Sequence, residues 1–166
     1  MLIVGLGLAL LTAAVFLQVT SFDFLSLDDA SYIPDNPNVR NGLSLDGVRW
    51  AFTTRHHGYW HPVTWIAHML NCQFFGLNAG AHHAANLLLH IVNVLLLFGW
   101  LARFTGCTGR SAFVAALFAV HPLHVESVAW IAELKALLST AFWLLTVWIY
   151  ASYARNWRRG TYWLAV

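Results

Sequence analysis

Apolar residues run almost unbroken from Met1 to Val19, interrupted only by Thr12 and Gln18. Crossing the hydrocarbon core of a bilayer takes roughly 20 such residues in a helix, so residues 1–20 are predicted to form a first span. No basic residue opens the run, and it is long for the apolar part of a leader. An uncleaved membrane helix is therefore expected. Residues 21–81 break the pattern with Asp23, Asp28, Asp29, Asp35, Asp46, Arg40, Arg49 and Arg55. Within this loop Pro34-Asp-Asn-Pro37-Asn reads as turns. Ser44 is placed to cap a short helix through Trp50 and Phe52, and Pro62 to open another running through Leu70. Both are too short to span, and their Trp and Phe content suits helices lying on a membrane surface.

The apolar pattern resumes at residues 82–103, around Leu87-Leu-Leu-His-Ile-Val-Asn-Val-Leu-Leu-Leu-Phe98. A tight Gly- and Thr-containing connection then leads to a third apolar segment at 111–120. Residues 121–133, His121-Pro-Leu-His-Val-Glu-Ser-Val-Ala-Trp and onward, are too polar to face lipid and read as a turn. A further span covers 134–153, and residues 161–166 read as the opening of a fifth. The fold class expected is an all-α, multi-spanning helix bundle: about four complete spans, the start of a fifth, and a long first loop.

Composition supports that reading. The chain has 59% hydrophobic and 10% charged residues, against about 25% charged in soluble domains. Its nine Trp and five Tyr suit aromatic belts at membrane interfaces. The net charge of +2 gives no footprint for nucleic acid. Position matters more than the total. Arg103 and Arg110 fall on one side of the predicted bundle, with Arg155, Arg158 and Arg159 on the same side two helices later. The positive-inside rule makes that side cytoplasmic. The Asp-containing loop and the His121–Trp130 turn then share the extracytoplasmic side. Cys72 and Cys107 fall on opposite sides, so no disulfide is expected between them.

Several polar residues invite chemistry. Asp28 and Asp29 follow the first span; adjacent, partly desolvated carboxylates hold protons more tightly and suit one of them to general-base work. His83, Asn86, His90 and Asn93 recur at steps of three, four and three on one helical face. Such a stripe faces either a wet cavity or a neighbouring helix to which it hydrogen-bonds. His61 shares a face with Thr64 and His68. His121 and His124, with Glu126 nearby, have half of a metal-site spacing, but Pro122 interrupts the geometry, and a helix end whose freed backbone groups meet polar side chains is the favoured reading. Glu133 and Lys135 open the span after the turn. A lysine there either snorkels or holds a lipid phosphate as a point charge.

Four ordered blocks carry a resemblance. They are Leu27-Asp-Asp-Ala-Ser-Tyr-Ile-Pro-Asp-Asn-Pro-Asn-Val39, Tyr59-Trp-His-Pro-Val-Thr-Trp-Ile-Ala-His-Met-Leu70, His82-His-Ala-Ala-Asn86, and His121 through Trp130. Together they resemble the membrane part of the transmembrane and tetratricopeptide-repeat family, whose animal members are protein O-mannosyltransferases. The resemblance implies a GT-C glycosyltransferase fold, with this chain an N-terminal piece, inactive alone, and helical repeats downstream. It implies a mannose-like sugar moved from a polyprenyl-phosphate donor to a Ser or Thr hydroxyl of a protein, at the outer face of a bacterial inner membrane or the lumenal face of the endoplasmic reticulum. By the same match Asp28 is the first candidate base and Asp29 the second. His61, His83, Asn86, His121, His124, Glu126, Glu133 and Lys135 are candidates for substrate binding, Lys135 and His124 at the donor phosphate. Relatives work without a bound metal, so no metal or other cofactor is expected. The chain departs from the family at Glu133-Leu-Lys-Ala136, where relatives often carry Glu-Arg-Lys-Asp. Two other readings remain at this stage: a membrane metal or haem protein using His83, His90, His121 and His124, and a non-catalytic anchor of the same descent.

Overall fold

A computed structural model describes residues 1–26, 28–56 and 58–156 of the chain. The expected fifth helix, Arg158 and Arg159 lie outside the described residues. The helices are α1 (Leu2–Phe16, continued by a 3-10 turn, Leu17–Ser21), α2 (Asp28–Tyr32), α3 (Pro37–Arg40), α4 (Leu45–Thr53), α5 (Pro62–Phe75), α6 (Ala79–Thr105), α7 (Thr108–Ala119), α8 (His124–Ala129) and α9 (Leu134–Asn156), the last preceded by a 3-10 turn at Ile131–Glu133. Three stretches are long and apolar enough to cross a membrane: Leu2–Ser21, Ala79–Thr105 and Ile131–Arg155. The segment expected to be the third span, residues 111–120, is α7, only 12 residues long. At about 1.5 Å per residue it falls well short of the roughly 30 Å hydrocarbon core.

The chain divides into two compact units. The first, a bundle unit, contains Met1–Val15, Leu88–His124 and, of the described residues, 136–156. Its core joins Leu8 to Val94, Phe98 and Ala102 of α6 and to Ala115 and Ala119 of α7. Small residues let these backbones approach, as membrane helices require in the absence of a hydrophobic drive. Asn93 Nδ2 donates to the Leu137 carbonyl at 3.0 Å, and Trp148 packs on Gly99, where a Cβ would lie 2.8 Å from its ring. Arg155 Nη1 donates to the Arg103 carbonyl at 3.4 Å. The paired positions rise together along both helices, so α6 and α9 run parallel. The chain must therefore return between them. It does so along α7, whose start meets the end of α6 at Thr105–Ser111 (3.2 Å) and whose end meets its middle, His90 Nε2 donating to the Ala119 carbonyl at 3.0 Å. The short helix thus reverses the chain as the arginine pattern requires, and Arg103 and Arg155 end together.

The loop unit contains Phe16–Leu87 and Val125–Lys135. Local chemistry sets its helices. Asn36 Oδ1 caps α3, accepting from Asn38 N at 3.1 Å, with Pro37 in the first turn. Ser44 Oγ accepts from Gly47 N at 3.0 Å, the expected cap of α4. Pro62 opens α5, and Gly76, with φ 58°, ends it. Asn78 Oδ1 accepts from Ala81 N at 3.1 Å, which starts α6 three residues earlier than the apolar pattern alone suggests. At Gly80 a side chain would collide with the Thr20 carbonyl oxygen. The core of this unit gathers Tyr32, Ile33, Val39, Ala51, Trp65 and Met69 around Ile131 and Ala132. Each large apolar side chain so buried contributes about 1.5–3 kcal/mol, which is what pins the first loop onto the Ile131–Ala132 turn.

Candidate active site

The two adjacent aspartates have different surroundings. Asp29 is fully buried. Its Oδ2 accepts from Leu25 N at 3.0 Å and its Oδ1 from Ala132 N at 2.9 Å. Burial raises its pKa, and the two backbone donors pull it back. Both oxygens are occupied in tying the start of the loop to the turn more than a hundred residues later. Asp28 is half-buried and opens the single-turn helix α2, with Ser31 Oγ donating to its main-chain carbonyl at 2.9 Å. One turn on, at i+4, Tyr32 shares its face.

Lys135 stands over the Tyr32 ring. Its Nζ lies 2.6 Å from Glu133 Oε1 and 5.6 Å from the Tyr32 ring centroid, and it donates to the Ala132 carbonyl at 3.5 Å. The Tyr32 phenol feels all of these charges. Burial raises its pKa, the Lys135 charge lowers it, and the Asp28 and Glu133 carboxylates raise it. His61 stacks on Tyr32 at 5.8 Å and packs at a tilt against Trp65 at 4.8 Å. Burial, the Lys135 ammonium and His56 all lower its pKa, so His61 is a neutral imbidazole at neutral pH, able to accept a proton or a hydrogen bond. His68, on the same α5 face, is fully buried and pushed down to about 3; it is a neutral member of the core. Tyr32, His61, Glu133 and Lys135 thus form one charged, aromatic-backed cluster, on which the Asp28 charge acts through space.

A cavity of about 610 Å³ adjoins the segments that Asp29 ties together. Its walls are apolar, with Phe22, Phe24, Leu25, Val125 and Trp130, and its polar groups are Asp23, His83 and Glu126. His83 Nε2 donates to the Asp23 carbonyl at 3.4 Å, and Asn86 Nδ2 to the Trp130 carbonyl at 3.0 Å. With His90 and Asn93, described above, every member of the α6 polar stripe reaches a backbone carbonyl. The stripe therefore bonds neighbouring segments, and only His83 of the four lines this cavity.

His121 and His124 belong to the bundle unit, where the His124 ring lies 5.2 Å from His90 and 4.4 Å from Phe118. Burial, then the charge of His121, lowers the His124 pKa. Among the described residues no group of three or more His, Cys, Asp or Glu is placed to hold a metal ion. Sequence reasoning did not single out Tyr32 or Trp65. The signal for Tyr32 was its i+4 spacing from Asp28; Trp65 follows Pro62 on the face of α5 that carries His61 and His68.

These features define a multi-pass, all-helical membrane protein whose long first loop packs Tyr32 against a lysine and carries a partly exposed carboxylate one helical turn before it. No family model and no solved structure matches the chain. Curated relatives do. It is 34% identical over 146 residues to the mouse "Protein O-mannosyl-transferase TMTC1", covering 80% of this chain and 15% of that protein. It is 36% identical over 102 residues to Drosophila melanogaster Tmtc1 of the same description, covering 60% of this chain and 11% of the relative. To human TMTC2 it is 30% identical over 168 residues, covering 92% of this chain and 19% of the relative. The chain belongs to the TMTC family, and it spans less than a fifth of the length of these relatives.

Proposed function

We propose that this chain supplies the catalytic first loop of a GT-C-type glycosyltransferase. The enzyme moves a mannose-like sugar from a polyprenyl-phosphate donor to a Ser or Thr hydroxyl of a protein acceptor, on the extracytoplasmic face. One observation carries the reading: of two adjacent aspartates, Asp29 is consumed by backbone bonds while Asp28 is left half-exposed, its charge and that of Lys135 both acting on the Tyr32 phenol. In the reaction the acceptor oxygen attacks the anomeric carbon and its proton passes to the Asp28 carboxylate. The bond from that carbon to the donor phosphate oxygen breaks, and the phosphate keeps the electron pair. A phosphate leaves without needing a proton, so a single base suffices. Lys135, oriented by Glu133, answers the charge that develops on the phosphate. The 610 Å³ cavity, with its phenylalanine and tryptophan walls, suits the first isoprene units of the donor. His61 lines the acceptor side as a neutral hydrogen-bonding partner. His121 and His124 are left to a structural role at the end of α7.

The shared end of Arg103 and Arg155, with Arg110 following in the next turn, supports a cytoplasmic position for that end and an extracytoplasmic one for the first loop. The donor-phosphate role is tested with Lys135→Gln in the full-length gene product, assayed in membranes with polyprenyl-phosphate mannose. Loss of a preorganised charge predicts a fall of about 100-fold in kcat/KM for the donor, with acceptor KM little changed. Unaltered donor kinetics would remove Lys135 from the mechanism.

A further inference from the structure

We propose that a groove where α6 ends and α7 begins is a binding site for one anionic phospholipid, its phosphate on Arg110 and an acyl chain along Leu101 and Val114. The groove has a volume of about 250 Å³ and is bordered by Leu101, Thr105, Cys107, Arg110, Ser111 and Val114. It lies where the apolar stretch Ala79–Thr105 ends, so its mouth falls at a bilayer boundary. Leu101, one turn inside the end of α6, and Val114, 46% exposed on α7, make its apolar wall.

Charge selects the ligand. Among its described residues the bundle unit holds no Asp or Glu. Its charged side chains there are Arg103, Arg110 and Arg155, all at this end. A guanidinium at a bilayer boundary favours an anionic partner, and this unit offers none of its own. Arg110 is exposed and makes no ion pair among the described residues. The hydroxyls of the groove are committed to the turn. Thr105 Oγ1 donates to the Leu101 carbonyl at 2.8 Å and accepts from Cys107 N at 3.1 Å, and Ser111 Oγ donates to the Cys107 carbonyl at 2.8 Å. Arg110 is the lining residue that remains to hold a headgroup, and its fork matches two oxygens of a phosphate.

The alternatives fit less well. A water-soluble anion would meet the guanidinium but leave Leu101 and Val114 uncovered. A zwitterionic phospholipid would cover them but bring a cation to a face with three arginines and no carboxylate. An anionic phospholipid matches both. The cytoplasmic leaflet, where the proposed orientation puts this end, is the one that carries such lipids. The lipid site does not rest on the transferase reading.

The test is native mass spectrometry of the full-length protein in detergent, titrated with phosphatidylglycerol, phosphatidylcholine and farnesyl phosphate. Arg110→Gln removes the headgroup partner. Val114→Trp fills the groove without changing charge. Arg49→Gln, in the exposed pair with Asp46 of the loop unit, is the control. The first phosphatidylglycerol should bind about fivefold or more tighter than phosphatidylcholine, the size of one arginine beside an anionic lipid. Arg110→Gln should abolish that preference, Arg110→Lys should lie between, Val114→Trp should weaken phosphatidylglycerol binding by a similar factor, and Arg49→Gln should change nothing. All variants should unfold at the wild-type Tm in lipid-free detergent, with phosphatidylglycerol raising the Tm of the wild type and Arg49→Gln more than that of Arg110→Gln or Val114→Trp. Equal binding of the two phospholipids, or wild-type binding in Arg110→Gln, overturns the proposal. Wild-type binding in Val114→Trp would reduce the effect to surface charge and overturn the groove. Tighter binding of farnesyl phosphate than of phosphatidylglycerol would give the groove to a polyprenyl lipid and overturn it too.

Discussion

Asp28→Asn in the full-length gene product is expected to lower kcat for sugar transfer by about 10²–10⁴-fold, the contribution of a positioned general base. Donor and acceptor KM should change little, and the protein should remain folded. The amide has the shape of the carboxylate and keeps the start of α2 unchanged, because the Ser31 bond goes to the main-chain carbonyl of residue 28 and not to its side chain. It cannot take the hydroxyl proton. The measurement is single-turnover transfer from labelled polyprenyl-phosphate mannose, with a thermal unfolding control on the same membranes. Transfer at the wild-type rate would exclude Asp28 as base and favour the anchor reading.

Asp29→Ala is expected to act through stability. It strips acceptors from Leu25 N and Ala132 N in a fully buried position. Hydrogen bonds to a charged group are worth about 1.5–3 kcal/mol each, so losing both costs on the order of 3–6 kcal/mol. That is a large part of the margin of a small folded unit. The variant should show a sharp loss of protease-resistant protein and a lower Tm in detergent. Asp29→Asn, which retains one acceptor oxygen, should fall between the two. If Asp29→Ala kept wild-type stability and lost transfer as Asp28→Asn does, the division of labour between the two aspartates would be reversed.

The contrast between these neighbours shows what a sequence can and cannot disclose. The Asp-Asp pair, the Ser44 cap and the Pro62 start were legible because each is written in a few consecutive residues, and three of the apolar stretches because their length alone marks them. The partners of Asp29 were not, since Ala132 is 103 positions away and contributes only its backbone N–H. The polar stripe on α6 was legible as a stripe, but its meaning depended on which carbonyls it met. The arginines correctly paired the ends of α6 and α9, yet the helix that reverses the chain between them has only 12 residues. The Tyr32–His61–Trp65 stack joins α2 to α5 across the first loop, and nothing periodic announces it. Leu134, where the chain departs from the pattern expected from the family resemblance, is 4% exposed. An apolar side chain suits that buried site, where an unpaired guanidinium would be expensive. The departure is therefore absorbed by packing, and Lys135 remains the cation of the cluster.

The account depends on the first loop and the turn before α9 facing the same, extracytoplasmic, side. Labelling of intact cells with a membrane-impermeant maleimide tests this most directly. Three reporters suffice: Leu45→Cys on α4, Leu123→Cys ahead of α8, both highly exposed, and the native Cys107, exposed beside Arg110. The account predicts that cysteines at 45 and 123 react from outside and that Cys107 reacts only after permeabilisation. Labelling of 45 and 123 from opposite sides, or of Cys107 from the same side as 45, would contradict it.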